Sequence, residues 1–114
     1  MATPTTIDPK QLGQGFPADT NNLTIYTVPA GTTTVVQAID ICNTSSASRL
    51  ARVFLVPNGG AAGVSNALFY DVAIGGNMTV SWSGPQYLDA GALIVVRTDG
   101  ANSLAFTVSG QELS

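Results

Sequence analysis

From Leu23 onward, short runs of β-branched and aromatic residues alternate with turn signals at intervals of roughly 8 to 12 residues, the pattern of a sandwich or barrel. The runs are Leu23–Val28, closed by Pro29-Ala30-Gly31, and Thr32–Cys42, closed by Asn43-Thr44-Ser45-Ser46. Arg49–Pro57 precedes the loop Asn58–Gly63, and Ala67–Ile74 ends at Gly75-Gly76-Asn77. Met78–Trp82 ends at Ser83-Gly84-Pro85, Ala92–Thr98 ends at Asp99–Asn102, and Ser103–Leu113 is the last. A short pairing segment at Tyr87-Leu88 precedes the turn Asp89-Ala90-Gly91. The expected fold is all-β: an antiparallel β-sandwich of about seven or eight strands, jelly-roll-like or immunoglobulin-like.

A strand places alternate side chains on opposite faces. Met78, Val80 and Trp82 then share an apolar face, with Thr79 and Ser81 outside. Leu104, Phe106 and Val108 do the same, as do Leu68, Tyr70, Val72 and Ile74. Trp82, Val80, Phe106 and Val108 are therefore predicted core residues. Two runs break the alternation. Arg49–Pro57 sets Ala51, Val53 and Leu55 on one face but Phe54 and Val56 beside Arg52 on the other, and Leu93–Val96 is apolar on both. Such runs are central strands, or outer faces covered by a partner.

Residues 1–22 have no apolar period and mix Gly, Pro, Asn and Gln. They read as an N-terminal arm, with one short strand near Thr5–Asp8, leaving 23–114 as the sandwich domain. Isolated apolar residues in the arm (Ile7, Leu12 and Phe16) need a surface to bury against, in this chain or in a neighbouring subunit. With Arg52, Phe54 and Phe69 they form the candidate interface set.

Composition narrows the function. The chain has 114 residues, 45% hydrophobic and only 10% charged, with a formal net charge of −3. Roughly 25% charged is ordinary, and disordered chains are richer in charge and poorer in apolar residues. A phosphate-tracking nucleic-acid binder needs the opposite sign of charge. With no His, Ser-His-Asp and Cys-His sites and His-ligated metals are absent; the one Cys, Cys42, excludes an intrachain disulfide. No apolar run approaches the roughly 20 residues of a membrane-spanning helix. Met1–Thr6 has neither a basic nor an apolar leader region, so no signal peptide is expected. The three sequons at Asn22, Asn43 and Asn77 then read as chance matches.

The remaining chemistry is sparse. The seven carboxylates form no D-x-D pair or calcium loop. Asp89-Ala90-Gly91 and Asp99-Gly100 are turn signatures. Asp40 and Asp71 lie inside strands, where Asp is disfavoured, facing outward or pairing with Arg49, Arg52 or Arg97. Asn58–Gly63 lacks the Lys-Ser/Thr of a phosphate loop and reads as a mobile hairpin loop; Cys42 reads as a small buried hydrophobe. No catalytic, cofactor-binding or metal-binding residues are expected.

The segments Ile25-Tyr26-Thr27-Val28-Pro29-Ala30-Gly31-Thr32-Thr33-Thr34-Val35, Ile39-Asp40-Ile41-Cys42-Asn43-Thr44-Ser45 and Val53-Phe54-Leu55-Val56-Pro57-Asn58-Gly59-Gly60 carry a further pattern. So do Leu88-Asp89-Ala90-Gly91-Ala92 and Phe106-Thr107-Val108-Ser109-Gly110-Gln111-Glu112. Across residues 23–113 the chain resembles small β-sandwich proteins encoded in the structural regions of tailed phages and prophages. The resemblance implies a non-enzymatic virion component without cofactors. It implies a capsid cement or decoration protein on the outer capsid surface, assembled in the host cytoplasm. The implied partners are itself, as a homotrimer, and the major capsid protein, with no nucleic acid and no membrane. The alternative is a tail, baseplate or fibre module that recognises host glycans, which an exposed cluster of Trp82, Tyr87 and Tyr70 would mark.

Overall fold

Val, Ile and Thr lose rotamer freedom in a helix but fit a pleated, half-buried surface, so the runs rich in them fold as strands. The computed structural model describes residues 6–114. Its eight strands are β1 (Ile7–Gly15), β2 (Leu23–Thr27), β3 (Thr33–Asn43), β4 (Arg49–Val56), β5 (Ala67–Ile74), β6 (Thr79–Leu88), β7 (Leu93–Thr98) and β8 (Leu104–Leu113). One short 3-10 turn, Val64–Asn66, lies between β4 and β5.

The strands form two antiparallel sheets. The first has the order β1-β8-β3-β6 and the second β2-β7-β4-β5. Every connection crosses between sheets except β4 to β5, which are neighbours in both chain and sheet. This interleaved eight-strand order is a jelly roll, and it decides between the two expected topologies. The core lies between the sheets. Ile39, Ile41, Leu104, Phe106 and Val108 fill it from the first sheet, and Val53, Phe69, Ile74, Ile94 and Val96 from the second. One buried polar side chain, Asn43, is fully engaged. Its Nδ2 donates to the carbonyls of Ala47 and Ile74, and its Oδ1 accepts from Ser45.

Four sequence expectations need correction. The segment assigned to an arm outside the domain instead supplies β1, an edge strand that pairs with β8 from Ile7↔Leu113 to Gly15↔Phe106. Its period is hidden by a bulge between Gln11 and Gly13 that turns Leu12 into the core. A Cβ at Gly13 would lie 2.6 Å from the Ile25 carbonyl oxygen, so glycine is what lets β1 back closely onto β2. Residues 1–5 of the expected arm lie outside the described residues.

Second, Tyr87-Leu88 is not a separate segment. β6 runs on through a cis Gly84–Pro85 peptide, and an edge strand tolerates the missing N–H. Third, Phe69 rather than Tyr70 points inward. Ala51 pairs with Val72 and Val53 with Phe69, so Tyr70 and Asp71 together oppose Arg52. This bulge, with Asp71 at φ 55°, resets the alternation and leaves Tyr70 exposed. Fourth, Val80 and Trp82 face inward from edge strand β6 and are only half-buried, while Met78 precedes the strand and is exposed; Phe106 and Val108 are fully buried.

Candidate interaction surfaces

The register fixes what the outer face of the first sheet presents. Ile39, Ile41 and Phe106 point inward, so Ala38, Asp40 and Cys42 on β3 and Ala105, Thr107 and Ser109 on β8 point outward. On β6 the outward positions are Thr79, Ser81 and Ser83, directly opposite Cys42, Asp40 and Ala38. Asp40 carries the single charge among these positions. At one end the same face turns apolar. The row Pro9–Gln111–Val35–Tyr87 crosses the sheet, with Ile7 opposite Leu113 beside it. Ile7 is 66% exposed and Tyr87 67%. The result is a face of small, mostly neutral side chains with an exposed apolar end. Cys42 sits here half-exposed, because its place in the alternation is outward; it is not the buried hydrophobe expected.

The outer face of the second sheet is built differently. Across the β4–β7 ladder Phe54 opposes Val95 and Val56 opposes Leu93, an apolar patch on the side away from the core. The chain covers this patch itself. The connection after β4 folds back, and Ala62 and Ala67 pack on Phe54, Val56 and Val95. The connection is tied down as well: Asn66 donates from Nδ2 to the Ala61 carbonyl, and its Oδ1 accepts from the Gly63 N–H. The loop read as mobile is therefore the lid of a satellite core. This also resolves the two doubly apolar runs: β4 and β7 are central strands with in-chain cover on the outside.

Further along that face the apolar pairs give way to Arg52 opposite Arg97. The bulged β5 edge answers one of these charges. Arg52 Nε donates to Asp71 Oδ1 at 2.7 Å and Nη2 to Oδ2 at 3.1 Å, while the guanidinium lies 4.1 Å from the centroid of the Tyr70 ring. The two residues of the bulge thus hold Arg52 from two sides. The hydrogen bonds and charge of Arg52 hold the Asp71 carboxyl below its ordinary pKa. Arg97 has no hydrogen-bond acceptor among the described residues, although Asp71 lies near enough for its charge to be felt. Between these groups opens a hollow of about 330 Å³, completed by Thr20, Leu50, Thr98 and Asp99. Asp99 Oδ1 accepts the Leu50 N–H at 2.9 Å.

A third cluster links the sheets at one end. The Tyr26 hydroxyl on β2 contacts Thr34 Oγ1 at 2.7 Å and donates to Glu112 on β8, and Glu112 also accepts from Lys10 Nζ at 2.9 Å. Burial, then the hydrogen bond to Glu112, pushes the Tyr26 hydroxyl up to about 12. The Tyr26 hydrogen bond, then that of Lys10, pulls the Glu112 carboxyl down. The four side chains form one hydrogen-bonded chain, Thr34–Tyr26–Glu112–Lys10, that acts as a clasp between the sheets. Among the described residues no group of three His, Cys, Asp or Glu side chains is placed to hold a metal ion.

The candidate interface residues therefore divide. Ile7 and Phe16 (48% exposed) are open, and Arg52 is partly open beside the hollow. Leu12 and Phe69 belong to the main core and Phe54 to the satellite core, so these three are not interface residues of the folded chain. The aromatic cluster does not form: Tyr70 lies on the second sheet, Tyr87 points out from the first, and Trp82 points inward. The sequence reading missed the hollow. Its one signal was Asp71, a strand-disfavoured residue with Arg52 and Arg97 among its possible partners.

No protein-family model matches the chain, and no curated protein matches its sequence. Among solved structures it is similar to the Drosophila NLP core, reported for pentamer formation and histone binding. That likeness has 10% identity over 92% of this chain and 96% of the other, with a TM-score of 0.49. It is also similar to part of a structure of infectious bursal disease virus, Gx strain. There the identity is 9%, over 95% of this chain and 31% of that chain, with a TM-score of 0.45.

Proposed function

We propose that this chain is a non-enzymatic structural protein of a virion, a cement or decoration subunit that binds the outside of a capsid. The observation that carries the reading is the outer face of the first sheet, which is lined by small side chains, nearly uncharged and apolar at one end. Contact surfaces that exclude water are depleted in charge at their centre, and among the outward positions of β3, β6 and β8 this face carries Asp40 as its single charge, with Tyr87 exposed at one end. Small hydroxyl and methyl side chains let another surface approach the sheet closely. The partners in this reading are the major capsid protein and further copies of the chain, arranged as a trimer.

The resemblance of residues 23–113 to phage structural proteins supports the same reading. A jelly roll hosts many functions, so the argument rests on this surface rather than on the fold. The experiment is the copy number of the chain in purified particles, by quantitative mass spectrometry. Hundreds of copies per particle are expected. A few to a few dozen would place it in the tail instead, and absence from particles would overturn the proposal.

A further inference from the structure

The hollow on the second sheet holds guanidinium donors that the fold leaves without acceptors among the described residues. Arg52 and Arg97 stand directly opposite each other on neighbouring strands, an arrangement that is unfavourable for like charges. Asp71 engages two of the five N–H groups of Arg52. The other N–H groups of Arg52 have no acceptor among the described residues, and neither does the guanidinium of Arg97. Arg52 is also held against Tyr70, so its free edge is presented in a fixed orientation. Thr20 also lines the hollow.

We infer that this hollow is a binding site for a single carboxylate group, held between Arg97 and the free edge of Arg52. A planar guanidinium matches a carboxylate with two parallel hydrogen bonds. The neighbouring groups restrict the ligand's charge. Asp71 and Asp99 both line the hollow, so formal charge there sums to zero before anything binds. A monoanion takes up the two free donor edges at tolerable repulsion, whereas a phosphate dianion meets two carboxylates. The carboxylate can come from an acidic side chain of a protein or from a small free acid. The inference stands on this hollow alone and holds whether or not the chain belongs to a virion.

The test is an amide chemical-shift titration of the full chain at constant ionic strength. The probes are acetate, a capped Gly-Glu-Gly peptide, its Gln counterpart and inorganic phosphate. Acetate and the Glu peptide are expected to give saturable shifts centred on Thr20, Arg52, Arg97 and Thr98. The Gln peptide should give none, and phosphate should bind more weakly than acetate. Arg97→Gln should weaken acetate binding at least tenfold, and Arg97→Lys, which keeps the charge without the fork, should recover only part of it. Asp99→Asn should tighten acetate and narrow its advantage over phosphate. Binding of the Glu peptide tenfold or more above acetate identifies a protein side chain as the natural source; equal binding identifies a free acid. No saturable shifts with acetate, shifts unchanged in Arg97→Gln, or phosphate binding above acetate would each overturn the inference.

Discussion

The two outer faces of this sandwich solve the same problem in opposite ways. The second sheet carries Phe54, Val56 and Val95 on its outside and covers them with its own connection after β4. It reserves its charge for the far end, where Arg52, Asp71 and Arg97 meet. The first sheet has no such cover and almost no charge. It keeps its outer face neutral with Ala, Ser and Thr, and leaves Ile7 and Tyr87 exposed. Apolar residues on an outer face therefore do not by themselves mark an interface. What distinguishes the first sheet is an apolar end that nothing in the described chain covers.

The largest effect should follow removal of residues 1–20, which deletes β1, bares the edge of β8 and empties the place of Leu12. Cooperative unfolding in urea should be lost or shifted far down. A truncated domain as stable as the full chain would show that β1 is the detachable arm its sequence suggests. Next, Phe106→Ala empties a fully buried position between the sheets and should cost about 3–5 kcal/mol in urea titrations. Phe54→Ala lies under a loop that can settle into the space, and should fall at the low end, about 3 kcal/mol. Hydrogen exchange should quicken in residues 57–66 for the second variant and not for the first.

The clasp at Tyr26 predicts a smaller, pH-dependent effect. The folded pKa of Tyr26 is raised from 10.0 to about 12, so its contribution is intact below pH 10 and is lost as pH rises toward 12. Glu112 is shifted the other way: its contribution holds above its ordinary value of 4.5 and is lost as pH falls through the lowered folded value. Thermal melts of the wild type should therefore decline at both extremes. Tyr26→Phe should flatten the alkaline limb, because the titrating hydroxyl is gone. An unchanged alkaline limb in Tyr26→Phe would assign that decline to another group. Smallest of all, Arg52→Ala should cost no more than about 1 kcal/mol, the scale of an exposed ion pair. A much larger loss would mean that the bulge depends on Arg52 rather than the reverse.

Much of this architecture was legible in the sequence, and its failures share a cause. β2, β3 and β8 follow from alternating runs between turn residues, where period and turn chemistry agree, and β4, β5 and β7 from apolar runs bounded by the same turn signals. The order of strands in the sheets is set by contacts distant in sequence, which is why two topologies stayed open. Bulges defeated the finer reading. One hides Leu12 in a segment with no visible period, and another exchanges Phe69 for Tyr70. Gly84-Pro85 read as a turn because both residues usually break strands, and only an edge position tolerates them. Asp71 was recognised as out of place in a strand, with Arg52 among its possible partners, but the hollow depends on where Thr20 and Asp99 arrive in space.

In the proposed role, the nearly uncharged face of the first sheet is the contact surface. The direct measurement is the affinity of charge-insertion variants for particles assembled without this chain. Ser109→Arg places a long cation in the middle of that face, and Val64→Arg places one on the exposed loop of the other sheet. Val64 is exposed and Ser109 points outward though half-buried, so unchanged melts of both variants are the control that separates contact from folding. Ser109→Arg should weaken particle binding a hundredfold or more, about 2.7 kcal/mol, while Val64→Arg binds as the wild type does. Unimpaired binding by Ser109→Arg, or equal losses in both variants, would contradict the claim.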